Sequence, residues 1–550
     1  MHIFFYLLLA LALVVVITAN NVILFLGAWE VMTVATYFLI VFNDEKAATR
    51  KAGFLYLIAT HCGVFCLFLM FFLMSHISGS MNFDAIARTS FSPVVAGTIF
   101  CLALLGFGIK AGLLPFHIWL PHAHPAAPSH ISALLSGVAI KTGIYGICRI
   151  LWIMGALPDW CAYVLLIMGV VSGVMGVLYA LGQHELKKLL AYHSIENIGI
   201  IVLGLGVGSL GRGHQMPFLT VIGFGGALLH VFNHSLFKGL LFLGAGAVIQ
   251  KTRTGEMDRM GGLSKVMPLV SVLFLVGALA ICGLPLFNGF ISEFIIFFGL
   301  FQGLIHLPLP GAAACALGIL ALALMGALAL ACFTKVYGTV FLGRSRRAGE
   351  PVMPGDPSRW MTIPMLILAG SCVWIGLAPE TMGRIAFSGG EYIAHLDSSR
   401  FNLDQVMAPL SGVIGGAFVF LALGSLLIFL RRFLLRRLSV PVNETWACGF
   451  SQVTPRFQYS SASFAYSIVN FVKALLLSRR HGGQLDTIFP GKAHVSSSVH
   501  DAAEESMFRP LLSRLGGVSK ILDDNQVRHT QWYLMYIFLF LIFLLAWKMR

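Results

Sequence analysis

The chain has 550 residues, of which 58% are hydrophobic and only 11% are charged. A soluble globular domain carries roughly 25% charged residues, so this composition excludes a soluble protein, which could not cover its own surface. The net charge of +14 would suit a nucleic-acid-binding protein. That class is also excluded, because the Lys and Arg residues lie mostly in short segments between apolar runs.

Apolar runs long enough to cross about 30 Å of hydrocarbon recur along the whole chain. They do not alternate polar and apolar residues, so they predict helices rather than a barrel. The first run lacks the basic start and small-residue cleavage site of a signal peptide and predicts a membrane helix. The fold class is therefore an all-α polytopic transmembrane protein. About thirteen spans are predicted, near residues 1–18, 22–42, 53–75, 93–113, 129–151, 161–182, 190–209, 217–248, 268–304, 312–341, 361–377, 411–430 and 532–547.

Two of these runs contain a helix break. The run that begins at residue 93 ends at Gly112-Leu-Leu-Pro115, and the long run 268–304 contains Gly283-Leu-Pro285. Broken helices at matching places in two halves of a chain are typical of transporters that are built from inverted repeats.

Loop charges predict the orientation. With the N-terminus in the cytoplasm, one set of loops holds seventeen Lys and Arg residues and the other set holds four. Basic residues favour the cytoplasmic side, so this asymmetry supports both the orientation and the span assignment. The predicted location is the cell inner membrane. The polar stretch 440–530 is predicted to lie at or outside the cytoplasmic face, either as an interfacial segment with an amphipathic helix near 500–525 or as a partner-docking tail.

Several ionisable residues lie deep within the apolar spans, where a charge costs at least about 2.5 kcal/mol on insertion scales. Two of them lie near the helix breaks, and three follow each other at four-residue spacing on one helix face. A buried Lys–Glu pair could simply hold two helices together. A set of this size indicates a proton relay instead, because burial brings lysine and glutamate pKa values toward neutrality and histidine titrates nearby. The set comprises Glu30, Lys110, Lys141, His230, His234, Lys238 and Glu293.

Other polar residues are secondary candidates. Lys335 lies near a helix end, where it could snorkel to the interface or form a structural pair instead of carrying protons. His193 and Glu196 open the seventh span, where they could fix the start of the helix or take up protons. His117 and His130 belong to a histidine-rich segment without accompanying carboxylates or cysteines. That segment favours loop packing and proton transfer over a metal site.

No cofactor is predicted for this chain. The ten cysteines are scattered without a C-x-x-C pair, so they do not indicate an iron–sulfur, zinc or disulfide framework. If the parent complex performs redox chemistry, its metal centres are expected in other subunits.

Several of these motifs also carry a family resemblance. The stretch from Lys110 to His124, with Lys141-Thr-Gly, His234-Ser-Leu-Phe-Lys-Gly and Gly283-Leu-Pro, resembles the antiporter-like membrane subunits of respiratory complex I and of multisubunit sodium/proton antiporters. The resemblance covers roughly residues 1–345. It implies two inverted five-helix bundles at 1–151 and 161–341, with additional helices expected at 361–430. Members of this family usually have about three more helices before the span that begins here at Met1, so we expect either a shortened form or a missing start.

The resemblance also implies roles for single residues. Glu30 and Lys110 match the family's buried Glu–Lys pair, Lys141 and Lys238 match its central lysines, and Glu293 matches its terminal acidic residue. The motifs Ala191-Tyr-His-Ser-Ile-Glu-Asn and Thr445-Trp-Ala-Cys-Gly-Phe most resemble the large membrane subunits of formate hydrogenlyase and hydrogenase-4.

The function expected from residues and resemblance together is proton translocation within a hydrogenase-like or complex I-like oxidoreductase. The expected partners are other integral membrane subunits, the lipid bilayer and, indirectly, a peripheral hydrogenase or dehydrogenase arm. One alternative is a sodium/proton antiporter subunit without a redox partner. Another is a membrane scaffold whose charges only pair helices.

Overall fold

The computed structural model describes residues 1–155, 157–346, 355–396, 404–438, 454–482, 495–510 and 513–514. It divides into two units, Met1–Val499 and His500–Arg550. In the second unit the described part includes a π-helical turn at Glu504–Phe508. The predicted helix at 532–547 and the motif at 445–450 lie outside the described residues.

The first unit consists almost entirely of helices, because apolar residues in hydrocarbon can satisfy their backbone groups only within the helix itself. Its first half contains α1 (His2–Thr18), α2 (Val22–Ile40), α3 (Ala47–Ser78), α4 (Phe83–Ile86), α5 (Pro93–Ala111), α6 (Leu120–Ala126), α7 (Ser129–Leu134) and α8 (Lys141–Met154). Its second half contains α9 (Asp159–Leu181), α10 (Leu186–Gly213), α11 (Pro217–Thr252), α12 (Leu263–Val266), α13 (Pro268–Ile281), α14 (Asn288–His306) and α15 (Leu309–Val340).

The remaining elements follow these two groups. They are α16 (Arg359–Leu377), α17 (Glu380–Ala394), α18 (Asp404–Leu435), α19 (Ser461–Phe471) and a short antiparallel pair of strands, β1 (Arg479–Gly482) and β2 (Val495–Ser498). Sequence patterning did not predict α17, because this helix of 15 residues mixes polar and apolar positions and is too short to be a simple span.

The all-α polytopic fold is confirmed. In the described part of the chain, eleven helices are long and apolar enough to span a membrane, and they coincide with eleven of the predicted spans. Of the other two, α1 is a shorter apolar helix of 17 residues and 532–547 is not described. The predicted total of thirteen is therefore not established.

Both predicted helix breaks are present. Helix α5 ends at Ala111, and the next residue is Gly112, whose φ of +81° is accessible to glycine without strain. The long run 268–304 divides into α13 and α14, and Gly283 in the gap has a φ of +60°. Gly112 is buried and Gly283 is half-buried in the protein. The chain thus leaves helical geometry where other parts of the protein cover the backbone, as membrane proteins require.

Helices α9, α10 and α11 approach each other closely through glycines. A Cβ atom on Gly223 would lie 2.1 Å from the backbone nitrogen of Gly208, and one on Gly199 would lie 2.4 Å from that of Gly173. Small residues at such contacts are typical of membrane helices, which associate by close packing of their backbones. This packing fixes α10 and α11, which together carry about a third of the buried polar residues in the described part of the chain.

We expect Gly223→Val to prevent normal assembly, because its side chain would overlap the backbone of α10. Overpacking of this kind costs about 3 kcal/mol, and a clash with backbone cannot be relieved by a rotamer change. The measurement is the amount of monodisperse complex after detergent extraction. Gly326→Val is the matched control, because a Cβ atom there meets nothing within 4 Å. Equal yields for the two variants would contradict the prediction.

Candidate functional site

Four of the predicted relay residues form a central cluster, defined here as Lys141, His230, His234 and Lys238. All four are buried, with exposed fractions of 0% for the three on α11 and 7% for Lys141. The Lys141 ammonium contacts Nδ1 of His234. A lysine from the first half of the chain therefore touches the histidine-lysine face of α11 in the second half.

A π-helical turn at Leu135–Ala139 positions Lys141. The wider turn shifts the backbone hydrogen bonds and leaves carbonyl groups available to other donors. The Ser136 carbonyl accepts a hydrogen bond from the Lys141 ammonium, and the Gly137 carbonyl accepts one from the Ser235 hydroxyl at 2.5 Å. The irregular turn thus binds both the lysine and the neighbouring helix α11.

The ammonium group of Lys238 forms its hydrogen bond with a backbone carbonyl group. Its Nζ donates to the carbonyl oxygen of Leu190 at 2.5 Å and lies 5.6 Å from the centroid of the Phe242 ring. The same Leu190 carbonyl accepts the Ser194 hydroxyl at 3.2 Å. The Ser194 hydroxyl also lies 2.8 Å from that of Ser136, so a second polar connection links the surroundings of the two central lysines.

We expect Ser194→Ala to slow transport about tenfold, because it removes the hydroxyl link between the two halves while α10 remains intact. Ser209→Ala is the matched control. Ser209 lies on the same helix and makes the same type of bond, to the Leu205 carbonyl at 2.8 Å, outside the central cluster. Rates of proton movement by the two variants in liposomes are compared. Equal rates would show that the hydroxyl link is dispensable.

A second polar group lies beside Lys238 on α10. Nδ1 of His193 and Oε2 of Glu196 are 2.5 Å apart, and both side chains are almost completely buried. Nε2 of His230 lies 3.1 Å from Oδ1 of Asn197, while its Nδ1 lies 2.9 Å from the hydroxyl of Ser292 on α14. Polar contacts therefore continue from the central cluster toward α14.

Glu293 lies at the second helix break. Its side chain is 9% exposed, and a Cβ atom on Gly283 would lie 2.4 Å from its Oε2 atom. The glycine is therefore required for the carboxyl group to approach the break so closely.

Glu30 and Lys110 are not in direct contact. The Lys110 Nζ donates to the Tyr56 hydroxyl at 2.8 Å and is buried. The Glu30 carboxylate lies 3.7 Å from Nε2 of His61, and its side chain is 31% exposed. Tyr56 in turn donates to the Thr33 carbonyl on α2 at 3.4 Å, so a tyrosine connects Lys110 with the helix that carries Glu30.

The other secondary candidates lie in different places. His117 is buried with its ring centroid 6.4 Å from that of Tyr179, while Nε2 of His130 contacts Nε2 of His2 at 2.8 Å in an exposed pair. Lys335 is 1% exposed and donates to the carbonyls of Leu181 and Gln183. It therefore does not snorkel in this structure.

Sequence reasoning missed several polar residues of the site. His124 is fully buried against Phe242, with a ring-centroid separation of 5.0 Å. The sequence of the histidine-rich segment does not distinguish the His124 ring from the other histidines of that segment. Ser194 and Asn197 lie within the motif that begins at Ala191, but the motif assigned them no role. The polar groups of Tyr56, Ser136 and Ser292 gave no signal, because such residues are common in membrane helices.

Fold and site together define a class: a polytopic membrane protein whose helices bury several lysines, histidines and glutamates, four of them in one central cluster. The family model described as "NADH:quinone oxidoreductase/Mrp antiporter, TM" matches residues 19–309. The chain belongs to this family of antiporter-like membrane proteins.

Individual relatives agree with this assignment. The chain is 35% identical to hydrogenase-4 component B of Escherichia coli, over 97% of this chain and 81% of the relative. It is 36% identical to formate hydrogenlyase subunit 3 of the same organism, over 67% and 59% of the respective chains. A structure of an archaeal membrane-bound sulfane sulfur reductase shares the fold, with a TM-score of 0.73 at 23% identity over 98% of this chain and 83% of that chain.

Proposed function

We propose that this chain is the proton-translocating membrane subunit of a hydrogenase-like redox complex and that the central cluster carries the protons. The observation that carries the proposal is the buried contact between Lys141 and His234 across the two halves of the chain. Uncompensated charges are costly at this depth, so a membrane protein retains such groups where ions or protons pass.

The chemistry favours protons over sodium. Sodium requires several oxygen ligands, whereas the central cluster offers ammonium and imidazole groups, which bind and release protons. The relatives named above are components of hydrogenase-4 and formate hydrogenlyase, which supports a redox-driven assembly with other membrane subunits. A peripheral metal-containing arm would supply the energy, and this chain would hold no cofactor itself.

We further propose that residues 1–151 and 161–341 are the two inverted bundles. The helix breaks after α5 and between α13 and α14 support this division. The N-terminus would face the cytoplasm of a cell whose inner membrane holds the complex. Protonation of the central cluster would favour negative charge at Glu30 and Glu293, because opposite charges favour each other's charged form, and it would disfavour the like charge at Lys110.

The test is redox-driven proton movement by the purified complex in liposomes. A pH-sensitive dye inside the vesicles should report a pH change that depends on the electron donor, persists without sodium and collapses with a protonophore. The alternative function, a sodium/proton antiporter, has support in the family description, which names the Mrp antiporter. An antiporter would instead move protons when a sodium gradient is imposed without any electron donor.

A further inference from the structure

An open groove lies outside the central cluster, at one end of the second bundle. Its volume is about 840 Å³, and its walls come from the α9–α10 turn, the residues after α11, helix α19 and strand β2. Loop charges predict that this end faces the cytoplasm. Arg346, in the loop after α15 at the same end, donates to the Tyr459 carbonyl ahead of α19 at 2.7 Å.

A chain of hydrogen-bonding groups lines this groove. The Ser461 hydroxyl donates to Oδ2 of Asp258 at 2.6 Å and lies 2.7 Å from Nδ1 of His184. The other ring nitrogen of His184 lies 3.0 Å from the Ser497 hydroxyl. Asp258 is also fixed by the Ser461 backbone N–H at 2.6 Å. The side chains of His184 and Asp258 are 32% and 37% exposed, so water reaches both.

Charged residues on several elements lie near His184. Burial lowers the pKa of His184, the Lys335 cation lowers it further, and the Asp258 carboxylate opposes this effect. The lowered pKa therefore favours the neutral form of His184 near neutral pH. The charged groups near it or on the groove walls are Glu185, Glu256, Asp258, Lys335 and Lys473.

The groove adjoins a buried lysine that the central cluster does not include. Lys335 donates to the carbonyls of Leu181 and Gln183 at 2.6 and 3.0 Å, and Gln183 directly precedes His184. Two residues away on α15, the ring of Phe333 lies 4.7 Å from that of His193, which contacts Glu196. Helix α15 therefore places Lys335 beside the groove and Phe333 against His193, one of the residues beside Lys238.

We propose that His184, Asp258 and Ser461 form a proton-collecting site that supplies Lys335. This inference rests on the proposed function and assigns a role to the segment that follows α18. A hydronium ion gives its proton to Asp258 and leaves as water. Asp258 passes a proton to the Ser461 oxygen as Ser461 gives its own to Nδ1 of His184. Once the Lys335 cation has passed its own proton on toward His193 and become a neutral amine, the imidazolium releases a proton through water to it.

The test uses His184→Ala in the whole complex in liposomes, with the groove side exposed to the medium and an electron donor supplied. The rate of proton uptake should fall about tenfold. Added imidazole should restore it to within about twofold of wild type, because the open groove admits a small proton carrier. His214→Ala is the matched control, since His214 contacts the Leu210 carbonyl at the other end of α10.

A second pair of variants separates proton collection from packing. Asp258→Asn should lower the rate, whereas Glu256→Gln removes a neighbouring carboxylate outside the hydrogen-bond chain and should not. An unchanged rate for His184→Ala, or a low rate that imidazole fails to restore, would overturn the inference while wild-type pumping stands. A wild-type complex that moves no protons would overturn the proposed function itself.

Discussion

Lys238→Ala should abolish redox-driven proton movement while the complex still assembles. We expect the initial rate of dye response in liposomes to fall about 100-fold or more, because the variant removes a buried titratable group of the central cluster. Assembly should survive, since the hydrogen-bond partner left behind is the Leu190 carbonyl, which also accepts the Ser194 hydroxyl, and the nearby Glu196 keeps its contact with His193. Electron-transfer activity of the peripheral arm and the elution profile of the complex check assembly.

Lys265→Ala is the control for this experiment. Lys265 lies exposed on the short helix α12 and belongs to the same half of the chain. Its loss should leave the rate within about twofold of wild type, as is usual for exposed side chains away from a site. Pumping by Lys238→Ala at the rate of this control would assign Lys238 a structural role and favour the scaffold hypothesis.

Lys141→Ala should have a comparable effect for a different reason. This variant removes the contact with His234 and with it the direct link between Lys141 and α11. We expect the steady rate to fall about 100-fold, while the histidines and Lys238 on α11 keep their titratable side chains. A single-turnover measurement should therefore still detect a small proton exchange that Lys238→Ala lacks.

Lys51→Ala is the corresponding control in the first half, because Lys51 is exposed on α3.

A rescue experiment at Lys141 distinguishes proton transfer from packing. Lys141→His keeps a titratable group that could still face His234, so it should recover part of the rate, whereas Lys141→Met keeps only the apolar volume and should not. Equal activity of the His and Met variants would indicate that the side chain's volume is what matters.

Much of the fold could be predicted because hydrocarbon imposes one solution on a long apolar run. The eleven long helices, the breaks at Gly112 and Gly283 and the buried face of α11 all follow from this constraint. Helix α17 escaped prediction, because neither its length nor its mixed composition distinguishes it from a loop.

The site was predicted less completely than the fold. Buried lysines and glutamates stand out in a sequence, since each one is costly in the membrane. Their partners do not stand out. The structure places Tyr56 beside Lys110 and leaves Glu30 near His61, although the resemblance implied a direct pair. The groups that hold the central lysines are largely carbonyls, which every residue possesses.

The carbonyl contacts also affect how this site can be followed through evolution. Lys141, Lys238 and Lys335 all donate to main-chain oxygens, at Ser136, Leu190 and Leu181. Side chains at those three positions can be exchanged without losing the acceptor. Statistical covariation between columns of aligned sequences should therefore be weak between each lysine and its acceptor position, even though the two are fixed neighbours. Methods that infer contacts from paired substitutions would overlook these main-chain contacts.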